Sequence, residues 1–155
     1  MGQIIRIRYQ TCVSIVIFDY YIEPLTFLIM SKTVVYSDKA PEPIGPYSQA
    51  IQHGNLLFVS GQIAIQKSSG KLVTSNIEDE TIQVLTNVEE VLKAAGLNFS
   101  NVVKTTIFLK DMNSFPRVNE IYGKYFVDAP PARETVEVSR LPKDVNVEIS
   151  CIALK

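Results

Sequence analysis

Apolar and polar residues alternate along several short stretches of the chain, a pattern typical of half-buried β-strands. The stretches with this pattern are Thr33–Tyr36, Ser48–Gln52, Leu56–Ile65, Val102–Leu109, Glu134–Ser139 and Val145–Leu154. The tripeptide His53-Gly54-Asn55 between the second and third stretches is a hairpin turn signal. The pattern therefore predicts strands over all of these stretches, with the second and third joined as a hairpin.

Two further segments carry apolar residues at spacings of three and four, the period of an amphipathic helix. The first is Ile77–Ala95, and Gly96 stands where a glycine commonly ends a helix. The second begins near Ser114, has Pro116 in its first turn and is stopped by Pro130-Pro131. The resulting order βββαβαββ predicts an α+β fold, a mixed sheet with two helices packed on one face.

The first 29 residues differ from the rest of the chain and are rich in Ile, Tyr and Phe. Asp19, Glu23 and Pro24 interrupt the apolar runs, so the segment is not predicted to span a bilayer. It also lacks the small-residue cleavage site of a signal peptide. We therefore expect residues 1–29 to be an N-terminal extension outside the native fold, and residues 30–155 to form a single domain.

Composition and charge exclude several classes of protein. Hydrophobic residues make up 46% of the chain and charged residues 20%, which is ordinary globular usage. The net charge of −1 leaves no excess of positive charge to attract nucleic acid or an anionic membrane, so we expect neither as a partner. Cys12, Cys151 and the single His are too few for a disulfide framework or a zinc site, which favours a reducing, cytoplasmic location. Cys151 falls on the apolar face of its strand and is expected to be buried.

The last two predicted strands hold polar side chains that could carry chemistry. If these strands pair as a hairpin with their apolar faces together, Thr135 lies opposite Glu148 and Arg133 lies opposite Ser150. Arg133 and Glu148 are then diagonal neighbours on one face. One interpretation is a solvated face with an ion pair worth about 0–1 kcal/mol. The other is a small anion site, in which the planar Arg133 fork binds a carboxylate and Glu148 holds or activates a water.

Six blocks of sequence resemble a known family. They are IGPYSQA (Ile44–Ala50), SGQIA (Ser60–Ala64), AAGL (Ala94–Leu97), VVKTTIFLKDM (Val102–Met112), VNEIY (Val118–Tyr122) and PARETVEVSRLPKDVNVEI (Pro131–Ile149). Together they resemble the RidA-like branch of the Rid family, the reactive-intermediate deaminases also called the YjgF family, over residues 31–155. The resemblance implies a chorismate-mutase-like α+β fold assembled as a homotrimer, with clefts between subunits. A sheet face that carries Phe58, Ile63 and Ile152 suits such an interface better than it suits solvent.

The activity implied by the resemblance is hydrolysis of enamines and imines to 2-keto acids and ammonia. The substrates would be 2-aminoacrylate with its tautomer 2-iminopropanoate, and 2-iminobutanoate. The chemistry needs an oriented acid, a placed water and assisted proton transfer, so no metal or organic cofactor is expected. Arg133 is similar to the family's carboxylate anchor and Glu148 to the residue that positions the attacking water. Tyr47, Ser60 and Asn119 resemble residues that shape the cleft from a neighbouring subunit.

The chain departs from the family pattern at a few positions near these residues. Thr135 stands where many relatives carry Cys, and it is expected to contact the substrate through its backbone. Glu134 stands where a small residue is common, which would add negative charge beside Arg133. Ala64 replaces a usual Pro, and Ser150 replaces a frequent Glu. None of these changes removes a group that the mechanism needs.

Two other functions remain open on the sequence. Family members have also been described as ribonucleases acting on single-stranded RNA and as translation inhibitors, although the balanced charge here argues against tight RNA binding. The second alternative is a non-enzymatic trimer that uses the Arg133 cleft to bind keto acids. The sequence does not separate ligand binding from turnover.

A chain that begins at Met30 should fold, assemble and react like the full chain, because the globular pattern starts at Ser31. Circular dichroism, light scattering and activity, measured beside the full chain, check this expectation. Loss of solubility or activity on truncation would show that residues 1–29 belong to the fold.

Overall fold

The computed structural model describes residues 31–155, so the extension expected at residues 1–29 lies outside the described residues. The elements are β1 (Thr33–Val35), β2 (Ala50–His53), β3 (Leu56–Gln62), α1 (Ile77–Ala94), β4 (Val102–Leu109), α2 (Phe115–Gly123), β5 (Ala132–Glu137) and β6 (Val147–Leu154). They form one six-stranded sheet of order β1-β2-β3-β6-β4-β5, in which only β4 and β5 are parallel. The predicted mixed α+β architecture is confirmed. Among residues 31–155, no helix is long and apolar enough to cross a membrane.

Local signals fix the longer helix, α1, close to its predicted bounds. At its start, the Asn76 side chain accepts a hydrogen bond from the Asp79 backbone N–H at 2.7 Å, which satisfies a donor that the first turn leaves free. At its end, Gly96 adopts a φ of +73°, a left-handed conformation that suits glycine. The Gly96 N–H donates to the Lys93 carbonyl at 2.9 Å and so closes the last turn.

Both helices pack on the same face of the sheet, where the main core lies. In β4 the side chains that face the helices are Thr105, Ile107 and Leu109, all buried. In β6 the corresponding buried residues include Ile149 and Cys151. Burial raises the pKa of the Cys151 thiol to about 12, so the thiol stays protonated and acts as a small core side chain, as expected. No helix of residues 31–155 lies on the opposite face of the sheet, which we call the open face.

The predicted hairpin between β5 and β6 is wrong, because β4 lies between the two strands. Arg133 on β5 is paired with Thr105 of β4 in a parallel ladder, and Glu148 on β6 is paired with Phe108 of β4 in an antiparallel one. Helix α2 is the crossover that a parallel pair requires, and it carries the chain past β4 to the sheet edge. Val136 was expected on the same buried sheet face as the apolar residues of β6. It lies instead on the open face.

Smaller differences from the predicted elements follow from tertiary contacts. Strand β3 ends at Gln62, after a bulge between Val59 and Gln62. Ile63, expected on the interface side of the sheet, is buried in a separate small cluster with Val145. Helix α2 ends at Gly123, before Pro130-Pro131, and its cap is the N–H of Lys124 bonded to carbonyls of the last turn.

Buried polar side chains of α1 hold two strand ends in place. The fully buried Glu80 carboxylate accepts hydrogen bonds from the backbone N–H and the side-chain amide of Asn146, at 2.7 and 2.8 Å. The Asn87 amide donates to the carbonyls of Ile63 and Ile65, both at 2.9 Å. Helix α1 therefore fixes the entry to β6 and the exit from β3.

Candidate active site

Arg133 lies on the helix side of β5, against one face of α2. Its guanidinium carbon is 4.8 Å from the ring centroid of Tyr122 and 5.6 Å from that of Phe115. Its Nη1 donates a hydrogen bond to the Asn119 side-chain oxygen at 2.9 Å. Phe115, Asn119 and Tyr122 are four and three residues apart, so they project from the same side of the helix. Together with Thr135, these residues form the Arg133 group.

Residues 31–155 leave most N–H donors of the Arg133 guanidinium unused. Within residues 31–155 it forms no salt bridge. Glu134, expected to add charge beside it, points to the open face, where it accepts from the Thr106 hydroxyl at 2.7 Å and pairs with Lys104 at 3.1 Å. These two contacts, the Thr106 bond first, lower the pKa of Glu134. An arginine has five N–H donors, and within residues 31–155 a single one of those of Arg133 is bonded, to Asn119.

Thr135 lies two residues beyond Arg133 on the same face of β5. Its hydroxyl oxygen is buried and has no hydrogen-bond partner among the described residues. A buried polar group without a partner costs roughly 1–3 kcal/mol. The described residues therefore leave one buried polar atom unsatisfied two positions from Arg133.

Glu148 lies on the open face of β6, directly over Gly61. The approach is so close that a Cβ on Gly61 would collide with the Glu148 carboxylate. Gly61 sits in the bulge of β3, which brings its backbone toward β6. Burial raises the pKa of the Glu148 carboxyl above its usual value. A carboxyl with a raised pKa can accept and return a proton closer to neutral pH.

Tyr47 and Ser60 are each linked to Gly61, the residue over which Glu148 lies. Tyr47 and Gly61 both line a cavity of about 20 Å³, large enough for roughly one water molecule. The exposed Tyr47 hydroxyl accepts from the Ile44 backbone N–H at 3.3 Å. Ser60 precedes Gly61, and its hydroxyl donates to the Ser48 carbonyl at 2.6 Å. Tyr47, Ser60, Gly61 and Glu148 form the Glu148 group.

The two groups are separated within one chain, contrary to the prediction that Arg133 and Glu148 share a face. They lie on opposite faces of the sheet with β4 between them, and strand geometry places their Cα atoms about 14 Å apart. Asn119, expected from a neighbouring subunit, contacts Arg133 in the same chain. The 20 Å³ cavity beside Tyr47 is also far smaller than the roughly 300–1,000 Å³ of a typical ligand pocket.

Two kinds of site residue escape sequence reasoning. Phe115 and Tyr122 are aromatic residues of a helix, a type that indicates core packing, and their spacing of four and three residues from Asn119 is the signal that could have grouped them with it. Gly61 carries no recognisable signal, because the need for glycine comes from the approach of Glu148 on another strand.

Comparison with known proteins identifies relatives over the same part of the chain. Residues 37–155 match the family model described as Endoribonuclease L-PSP. RutC family protein PH0854 of Pyrococcus horikoshii is 53% identical over 80% of this chain and 98% of its own. The 2-iminobutanoate/2-iminopropanoate deaminase of Mus musculus is 48% identical over 80% of this chain and 92% of its own. The crystal structure of E. coli TdcF with bound serine matches with a TM-score of 0.76 at 36% identity, over 79% of this chain and 98% of that one.

The fold and the two residue groups define a small α+β protein with an unneutralised arginine beside a helix and a carboxyl of raised pKa on the open sheet face. The matches place this chain in the Rid (YjgF) family, whose members include imine deaminases.

Replacing Gly61 with Ala should displace the Glu148 carboxylate toward solvent, because the new Cβ occupies its place. The pKa of Glu148 should then fall toward the usual value for a glutamate, since burial is what raises it. NMR titration of the glutamate side chains measures this pKa. Gly123→Ala is the matched control, because a Cβ at Gly123 meets nothing within 4 Å. An unchanged Glu148 pKa in Gly61→Ala would contradict the close approach.

Proposed function

We propose that this protein hydrolyses 2-imino acids, formed by tautomerisation of enamines such as 2-aminoacrylate, to 2-keto acids and ammonia. The observation that carries the proposal is the free N–H fork of Arg133, which has the planar geometry that binds a carboxylate in two parallel hydrogen bonds. The mouse relative is named as a deaminase of two such imino acids. The TdcF relative binds serine, which carries a carboxylate and a nitrogen on one carbon.

The proposed active unit is a homotrimer, in which the Arg133 group of one copy faces the Glu148 group of the next. Two features support this assembly. The two groups cannot meet within one chain, and a two-part site needs both. The open face also exposes apolar side chains that a second copy would cover, with Val34 59%, Phe58 43% and Val136 41% exposed. The trimer itself is the assembly that the family resemblance implies.

In the proposed mechanism, the guanidinium of Arg133 and the backbone of Thr135 hold the substrate carboxylate. Glu148 of the neighbouring copy positions a water and takes one of its protons as the water oxygen bonds to C2, while the C=N π electrons move to nitrogen. Glu148 returns the proton to the nitrogen of the resulting tetrahedral adduct. Glu148 next moves the hydroxyl proton of the adduct to the same nitrogen, and the C2–N bond breaks as the hydroxyl oxygen becomes a carbonyl. Ammonia leaves, and the 2-keto acid remains.

Substitutions of Arg133 and Glu148 should give different defects in ammonia release from a freshly generated 2-imino acid. Arg133→Ala should lose roughly 30- to 1,000-fold in kcat/KM, since a charge-assisted two-point contact is worth about 2–4 kcal/mol. Arg133→Lys should also be poor, because an ammonium lacks the planar fork. Thr135→Cys, the residue common among relatives, is the control and should be nearly neutral.

Glu148→Gln should bind the keto-acid product but turn over slowly, because the amide keeps the shape and loses the base. If Glu148 is the base, wild-type activity falls as the pH drops through its raised pKa, and Glu148→Gln lacks this decline. Spontaneous hydrolysis is subtracted at each pH, and circular dichroism checks the fold. A folded Arg133→Ala variant with near-normal turnover would refute the assignment.

The assembly should have three times the 17.3 kDa protomer mass by light scattering. A stronger test mixes unfolded Arg133→Ala and Glu148→Gln chains in equal amounts and refolds them together. If each site combines Arg133 of one copy with Glu148 of the next, random mixing restores roughly a quarter of the sites. A site within one chain would restore none, and a monomer that still hydrolyses imines would also refute the shared site.

The same assay separates the alternative functions. The family description names an endoribonuclease, so single-stranded RNA is included as a second substrate. RNA cleavage without ammonia release would favour a nuclease. Binding of a 2-keto acid with no turnover of the imino acid would favour a metabolite-binding protein.

A further inference from the structure

The ring of Tyr122 that meets Arg133 is fixed by contacts on its other atoms. Tyr122 is only 4% exposed, and its hydroxyl forms a 2.8 Å hydrogen bond with the hydroxyl of Thr105. Thr105 is 1% exposed and is the β4 residue paired with Arg133. Phe126 stacks on Tyr122, with 4.4 Å between ring centroids and 29° between planes. The position of the ring is therefore set by β4 and by a neighbouring aromatic side chain, without help from Arg133.

A contact with an aromatic face holds a guanidinium in a way that suits anion binding. The ring quadrupole attracts the cation without removing its charge and without using its N–H groups. A carboxylate neighbour would instead occupy the fork and neutralise it. At Arg133, Asn119 uses one N–H, and the aromatic rings of Tyr122 and Phe115 use none.

We propose that Tyr122 is a positioning residue for Arg133, and that its ring holds the guanidinium with the remaining N–H groups free for the substrate carboxylate. This inference rests on the proposed function, because it takes Arg133 as the carboxylate anchor. Tyr122 itself does not touch the substrate. Its contribution acts on substrate binding through Arg133, so it should alter KM and leave kcat nearly unchanged.

The test compares Tyr122→Leu with Tyr122→Phe in the full-length protein. Tyr122→Leu removes the aromatic face and should raise KM for the 2-imino acid about 5- to 30-fold, the range of a partly desolvated cation–π contact, with kcat within about threefold. Tyr122→Phe keeps the ring and loses only the bond to Thr105. Its KM should stay within about twofold of wild type, even where its thermal midpoint falls.

Phe99→Leu is the matched control for loss of aromatic packing. Phe99 contacts Phe126 and Tyr125 edge-on, with 5.0 and 5.2 Å between centroids, in the same aromatic cluster as Tyr122. Its substitution should leave KM unchanged. An unchanged KM in Tyr122→Leu, an equal increase in Phe99→Leu, or an equal increase in Tyr122→Phe would each overturn the inference.

Failure of the proposed function gives a different result. Wild-type protein that releases no ammonia refutes the proposed deaminase activity. The variants are then compared by their dissociation constants for 2-oxobutanoate, measured by calorimetry, instead of by KM. If Arg133→Ala abolishes that binding, the same ranking of the Tyr122 and Phe99 variants supports or overturns the positioning role. Wild-type protein that neither hydrolyses the imino acid nor binds 2-oxobutanoate overturns both.

Discussion

The position of β4 between β5 and β6 is the constraint on which the candidate site depends. As hairpin partners, Arg133 and Glu148 would lie diagonally on one face and form an ion pair. That pair would lower the pKa of the carboxyl and occupy the guanidinium. With β4 between them, the guanidinium keeps free donors and the carboxyl keeps a raised pKa. Both are the states that the proposed imine hydrolysis would use, and the position of β4 keeps the two residues from pairing within one chain.

Buried polar side chains hold the segments around Glu148 and Tyr47 in place. Glu80 binds both donors of Asn146, two residues before Glu148. The buried Gln49 accepts from the Ser37 N–H at 2.6 Å and donates to the Pro41 carbonyl at 2.8 Å, which ties down the loop that leads to Tyr47. Buried backbone groups require partners, so each such side chain fixes the course of the chain that it satisfies.

The sequence predicted the elements and the β2–β3 hairpin correctly and the pairing of β5 with β6 wrongly, for a physical reason. Helical periodicity placed α1 at Ile77–Ala95, and the structure ends it at Ala94, since caps and apolar spacing are local properties. Alternation fixes which residues of a strand share a face, but it identifies neither the neighbouring strand nor the side that meets the helices. In β5 the apolar Val136 faces outward and the polar Arg133 faces α2, which alternation alone assigns the wrong way round. The family resemblance, by contrast, pointed to Arg133 and Glu148 as site residues from sequence motifs alone. Such motifs carry no information on which strands are neighbours.

The arginines of the described chain differ in how far their N–H donors are already used. Arg140 forms a two-point contact with the Asp144 carboxylate, at 2.7 and 2.9 Å. Its planar N–H pair is therefore already bound to the kind of group that a substrate carboxylate would present. Arg117 is paired with Glu78 at 2.9 Å. Arg133 is held instead by aromatic faces and one neutral amide, so its attraction for an incoming carboxylate is not already used within the chain. In a cleft closed by a second copy, with fewer competing waters, that attraction would strengthen. The packing that leaves Arg133 unpaired in one chain is therefore what suits it to bind an acid once the site is complete.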